Sequence, residues 1–129
     1  MTSSVWIVDD DAEMLGAIGL MLQVIDCTAT GFPGARKAAQ ALLAGERPDL
    51  MIVDINMPEV SGLDLLEFIR RRREWEQLPI VMLSTEAADV TVDRALALGA
   101  DGYVTKPVTL EELERALGAA RQKRKKGTL

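Results

Sequence analysis

Leu50-Met51-Ile52-Val53-Asp54 is an uninterrupted apolar run that ends on a carboxylate, and its reading decides the fold. Val5–Val8 runs into Asp9 and Asp10 in the same way, Ile80–Leu83 into Ser84, and Tyr103–Val104 is followed closely by Lys106. Apolar runs of this length, bounded by turn residues, read as strands buried on both faces. Such strands belong to parallel sheets, and open α/β folds place their chemistry at the carboxyl ends of those strands. Three carboxylates, a hydroxyl and an ammonium are therefore expected at one edge of one sheet.

Helical patterns separate the runs. Met14, Ile18, Met21, Leu22 and Ile25 follow the spacing of one apolar helix face. Thr28–Phe32 reads as a short, weak strand. Pro33-Gly34 opens a second helix with Ala38, Ala39, Leu42 and Leu43 facing inward, and Gly45 stops it. Pro58 and Gly62 bracket a tight loop before a third helix built on Leu65, Leu66, Phe68 and Ile69. The stretch Asp89–Leu98 has helical composition but a stripe interrupted by Val90, Thr91 and Val92, which predicts a helix of low local stability. Gly99–Gly102 turns the chain into the fifth strand. Thr109 and Glu112 form a capping box for the last helix, whose Leu110, Leu113, Leu117 and Ala120 share a face. Five strand-helix repeats in strict alternation imply a parallel sheet covered by helices on both sides.

The chain of 129 residues, 48% hydrophobic and 27% charged, has the size of a single domain. We place that domain at residues 1–120 and set 121–129 apart as a basic tail. No apolar run approaches the length that crosses a bilayer, and Met1-Thr2-Ser3-Ser4 lacks the features of a secretory signal, so a soluble cytoplasmic protein is expected. Cys27 is the sole cysteine and reads as a small buried hydrophobe. The absence of histidine excludes His-ligated metals and His-based proton transfer within the chain. A net charge of −5 argues against nucleic-acid binding by the surface as a whole. Arg70–Arg73 and the basic residues Arg121 and Lys123–Lys126 fall at helix ends, where the dipole favours cations, and read as solvated.

Carboxylates gathered in a partly dry cleft repel one another and require a cation among them. A site of oxygen donors without His or Cys suits a hard divalent ion. Mg²⁺ fits best, because it needs only one or two carboxylates and keeps exchangeable waters. With Lys106 opposite, such a site suits in-line attack by a carboxylate on phosphorus.

Val8-Asp9-Asp10-Asp11, Ile52–Gly62 around Asp54, Leu83-Ser84-Thr85 and Gly102-Tyr103-Val104-Thr105-Lys106-Pro107 together resemble the receiver domain of two-component response regulators. The resemblance covers nearly the whole chain. It implies a flavodoxin-like, doubly wound five-stranded sheet of order 2-1-3-4-5 with five helices. It further implies that Asp54 takes a phosphoryl group from a phosphohistidine of a sensor histidine kinase or phosphotransfer protein. Asp10, Asp54 and the Asn56 carbonyl would ligate Mg²⁺, and Asp9 would hold a metal-bound water. Lys106 and Ser84 would contact phosphoryl oxygens, Tyr103 would move with Ser84, and Asn56 and Glu86 would tune hydrolysis. A cis Lys106-Pro107 bond is implied as well. The fourth helix, fifth strand and fifth helix would change on phosphorylation, engage a downstream partner or effector domain, and offer a face for a homodimer.

Two other readings compete with a signalling module that is not itself an enzyme. A haloacid-dehalogenase-like phosphatase would need a Thr that Val8–Glu13 lacks, and a cap domain. A module used only for assembly would not need the intact acidic set. No phosphate-binding G-x-x-x-x-G-K run occurs. The basic end suits a stand-alone protein slightly better than the start of a linker.

Overall fold

A computed structural model describes residues 3–126. Strands β1 (Ser3–Val8), β2 (Cys27–Phe32), β3 (Leu50–Asp54), β4 (Ile80–Ser84) and β5 (Gly102–Thr105) alternate with helices α1 (Ala12–Val24), α2 (Ala35–Leu43), α3 (Gly62–Arg70), α4 (Asp89–Ala97) and α5 (Leu110–Lys126). All strand pairs are parallel and the order is β2-β1-β3-β4-β5. This is the doubly wound flavodoxin-like sheet expected from the sequence. In register, Val8 faces Val53, Asp54 faces Leu83 and Ser84 faces Thr105, so the strands finish along one edge.

The strand period of two divides the core into layers. Trp6, Val8, Met51, Val53, Ile80 and Met82 point to one face, where Leu42, Leu66 and Ile69 meet them. Val5, Ile7, Leu50, Ile52, Val81 and Leu83 point to the other, against Ile18, Leu22, Leu113 and Leu117. Every residue of β3 and β4 is buried, which explains why their sequences are continuous rather than alternating. Caps fix the helix starts. Asp11 accepts from the Glu13 amide at α1, Ser61 and Asp64 form a reciprocal capping box at α3, and Thr109 accepts from the Glu112 amide at α5. No described helix is long and apolar enough to cross a membrane.

Three expectations change. Leu43 is 55% exposed rather than inward, because Ala38 and Leu42 hold the sheet-facing line and the last residue of α2 rotates off it. The basic runs are not merely solvated. The Arg70 side chain, 11% exposed, donates to Asp101 and to the carbonyls of Gly99, Trp75 and Leu78, while Arg72 lies over the Trp75 ring at 5.0 Å. Arg124 donates to Asp101 at 2.7 Å and to the carbonyls of Glu76 and Gly99. The segment set apart as a tail thus carries the last turns of α5 and a buried ion contact; residues 127–129 of it, with Met1-Thr2 at the other end, lie outside the described residues. Asp101, read as part of a turn, is buried and also accepts from the Ile80 amide. Burial, then repulsion from Arg124, lowers the Arg70 pKa to about 10 against the pull of Asp101. Gly99 permits the approach, having φ of 108° and no Cβ to strike the Arg70 stem.

α4 matches its broken pattern. Ala95 is its one fully buried residue and Val90 is 80% exposed.

Candidate functional site

Asp9, Asp10 and Asp54 each present a carboxylate oxygen within 4.8 Å of the others, at the ends of the adjacent strands β1 and β3. Asp9 and Asp54 are buried and Asp10 is exposed, so the cluster opens to solvent on one side. Lys106, immediately after β5, reaches across β4. Its Nζ stands 3.3 Å from Asp9 Oδ2 and 3.3 Å from Asp54 Oδ1. The backbone sets these positions: the Asp9 amide donates to the Phe32 carbonyl, the Ile55 amide to Leu83, and the Lys106 amide to Ser84. The Lys106-Pro107 peptide is cis.

The charges do not balance. Two buried carboxylates share one ammonium, and the third carboxylate stands beside them. Burial, then the adjacent Asp9, raises the Asp54 pKa above the usual carboxyl value, against Lys106 and the Asn56 amide, which lower it. Burial alone would depress the Lys106 ammonium, yet attraction to Asp54 and Asp9 outweighs it and the net shift is upward. Surplus negative charge confined to oxygen donors fits a hard divalent cation.

Ser84 is buried, and its Oγ accepts from the Glu86 amide at 3.0 Å instead of touching Asp54. Tyr103, half-buried, donates from its hydroxyl to the Glu86 carbonyl at 2.8 Å. The Glu86 carboxylate accepts from Thr91 Oγ1 on α4 at 2.9 Å. Residue 86 therefore links the hydroxyl of β4, the aromatic of β5 and the start of α4. Asn56 and Glu86 are exposed and line the same groove of about 430 Å³ between the β3–α3 loop and α4. In sequence Thr91 reads only as an interruption of the α4 stripe, not as a partner of Glu86. Gly62 was read only as a loop boundary, whereas a Cβ there would overlap the Asp54 carbonyl. Its position directly after a helix-capping serine was the available signal. Another groove, about 570 Å³ between α1 and β2, has no charged residue in its wall.

Comparison with known proteins agrees with this arrangement. Residues 5–118 match the model of the response regulator receiver domain. The transcriptional regulatory protein KdpE of Mycobacterium tuberculosis is 36% identical over 121 residues, covering 90% of this chain and 50% of that protein. A chemotaxis protein CheY homolog of Campylobacter jejuni is 37% identical over 86 residues, covering 64% of this chain and 66% of the relative. The match to the protein RcaC of Microchaete diplosiphon spans only 17% of its length, so this chain corresponds to part of several larger relatives. Among solved structures, the chemotaxis response regulator CheY4 of Vibrio cholerae superposes with a TM-score of 0.84 at 28% identity, covering 93% of this chain and 99% of that one. An acidic cluster at the strand ends, a lysine bridging it, and a family match over nearly all of the fold lead to one assignment: the chain belongs to the response regulator receiver domains of two-component signalling.

Proposed function

We propose that Asp54 is the phosphoacceptor of this receiver domain, charged from a phosphohistidine on a sensor histidine kinase or phosphotransfer protein. The observation that carries this reading is the placement of Lys106 Nζ at 3.3 Å from both Asp9 and Asp54, with Asp54 buried at the end of the central strand. An Asp54 carboxylate oxygen attacks phosphorus, the P–N bond breaks, and the imidazole leaves with the electron pair. Lys106 neutralises a phosphoryl oxygen of the product. Ser84 can give up the Glu86 amide and turn its hydroxyl to another oxygen. Mg²⁺, held by Asp10, Asp54 and the Asn56 carbonyl with Asp9 behind a water, would supply Lewis-acid charge neutralisation.

The readout follows from residue 86. When Ser84 turns, the Glu86 amide loses its acceptor, and the carbonyl bond from Tyr103 and the carboxylate bond from Thr91 are free to rearrange. Tyr103 and α4 thereby sense the charge on Asp54, and the face made by α4, β5 and α5 meets a downstream protein, an effector domain or a second copy. Asn56 and Glu86 flank the path of a hydrolytic water. The domain acts in the cytoplasm as a signalling module, with no direct contact to nucleic acid and no insertion into membrane.

Treatment with a phosphohistidine donor and Mg²⁺ should add one phosphoryl group, detected by intact mass, and Asp54→Ala should abolish it. Beryllofluoride with Mg²⁺ should shift the amide resonances of Ser84, Glu86 and Tyr103. A phosphoryl group retained by Asp54→Ala would refute the assignment.

A further inference from the structure

Helix α1 has no charged side to turn to water. From Met14 to Ile25 the chain carries no ionisable side chain. Ile18 and Leu22 are buried against the sheet, while Gly16, Ala17, Leu20 and Val24 are exposed on the outer side, Leu20 to 67% and Val24 to 68%. A helix that is apolar all round normally lies inside a larger structure. Beside it runs β2, an edge of the sheet, paired with β1 on one side and with no strand among the described residues on the other. Cys27–Phe32 has neither a charge nor a proline, two of the means by which a free edge is kept from pairing. The groove between α1 and β2 joins helix and edge into one uncharged surface.

Charges of opposite sign stand at the two ends of that surface. At the start of β2, exposed Arg121 holds its guanidinium 3.9 Å from Cys27 Sγ, and exposed Asp26 precedes the strand. At the other end the Asp9 amide donates to the Phe32 carbonyl, which brings the first turn of α1, with Glu13, to the end of β2. Lys37 follows in the first turn of α2, beside an Arg36 already paired with Glu59.

We propose that this surface binds a second copy of the chain, with β2 pairing antiparallel to its counterpart. A twofold axis perpendicular to the joined sheet sets both α1 helices on the same face, where Leu20 and Val24 of the two copies cover one another. The start of each strand then meets the end of the other, so Arg121 approaches Glu13 of the second copy and Asp26 approaches Lys37, each contact being made twice. Parallel pairing would set like charges together. Six residues of strand supply about six backbone hydrogen bonds across the axis. A strand of that length with one helix beside it buries about 1,000–1,200 Å² in total, near the lower limit for a specific interface, so the dimer is a reversible one of micromolar strength. The surface is separate from that of α4, β5 and α5, and the proposal does not depend on the role of Asp54.

Sedimentation velocity from micromolar to millimolar protein should show the mass rising toward that of two chains. Leu20→Glu combined with Val24→Glu sets like charges at the centre of the dimer and should weaken association about tenfold or more, while far-UV circular dichroism and the urea midpoint at low concentration stay those of the wild type. Arg121→Glu should also weaken it, and adding Glu13→Arg should restore it, which tests the antiparallel arrangement without touching the apolar face. Asp54→Ala should dimerise like the wild type, so failure of the phosphoacceptor assignment and failure of this proposal are told apart. A chain that stays monomeric throughout the range overturns the proposal. So does a dimer indifferent to the α1 variant, which would place the contact on another face, and so does a charge swap that rescues nothing. A monomeric wild type whose phosphorylation by a phosphohistidine protein is lost in the α1 variant would assign the surface to that donor instead.

Discussion

Lys106→Met removes the one cation that the described residues supply to the acidic cluster. At 3.3 Å from each of two carboxylates, each attraction amounts to about 5 kcal/mol in a medium of effective dielectric near 20, before desolvation is charged against it. Removing one partner of a buried pair costs about 3–5 kcal/mol, and the residual 15% exposure of Lys106 trims this to about 2–4 kcal/mol. Urea unfolding at pH 7 in EDTA should report that loss. The deficit should shrink when Mg²⁺ is added, because a divalent ion replaces the missing charge. The pH dependence has a definite sign. Asp54 already has a raised pKa, and loss of Lys106 raises it further, so the protonated acid is favoured in the folded state. The penalty is therefore present above the folded pKa and disappears as pH falls toward the ordinary carboxyl value of 3.8. In the wild type, the raised pKa of Lys106 keeps its contribution intact below 10.5, with loss only as pH rises through the higher folded value. Adding Asp54→Asn to Lys106→Met should recover part of the stability, and Asp54→Asn alone should stabilise the metal-free protein at pH 7. A deficit identical at pH 7 and pH 4.5, with or without Mg²⁺, would mean that Lys106 acts through its alkyl packing and that the electrostatic account is wrong.

Two further outcomes follow from contacts away from the carboxylates. Asp101→Ala leaves the half-buried Arg70 and Arg124 without their counter-charge and the Ile80 amide without its acceptor, and should destabilise the domain by about 2–4 kcal/mol in urea while wild-type Mg²⁺ affinity persists in the folded fraction. Gly62→Ala gains about 1 kcal/mol of helix propensity but drives a Cβ into the Asp54 carbonyl. The clash should prevail, giving a net loss of about 1–3 kcal/mol and weaker beryllofluoride binding by fluorine NMR.

The acidic cluster was legible because it follows from topology. Once Val5–Val8, Leu50–Val53 and Ile80–Leu83 are read as parallel strands, Asp9, Asp54 and Ser84 must share an edge, whatever their rotamers. The capping box of Thr109 and Glu112 was equally plain, being local. The box of Ser61 and Asp64 was hidden by a shorter acid at the third position. Rotamers were not legible: the sequence does not say that Ser84 serves the Glu86 amide or that Tyr103 reaches the Glu86 carbonyl. The Asp101 cluster was missed for a different reason. Its partners lie 31 and 23 residues away, and an arginine at a helix end looks the same in sequence whether it meets water or a buried carboxylate.

The two ends of the sheet pose the same electrostatic problem and resolve it oppositely. At the amino end of β5, the Asp101 carboxylate has Arg70, Arg124 and Lys123 within 4.0 Å together with a backbone amide, so the protein's own groups saturate it. At the carboxyl end of β1 and β3, Asp9, Asp10 and Asp54 have Lys106 as the one side-chain cation among the described residues, helped by the Asp11 amide at Asp9 and the Asn56 amide at Asp54. The first arrangement needs nothing from solution and ties α3, β5 and α5 into one body. The second is left short of positive charge in a cleft open at Asp10, which suits it to take up a cation from solution and, on the proposed assignment, a phosphoryl group. Burial alone does not separate these roles, since Asp9, Asp54 and Asp101 are all buried. The count of compensating charges does, and it assigns structure to one end and signalling to the other.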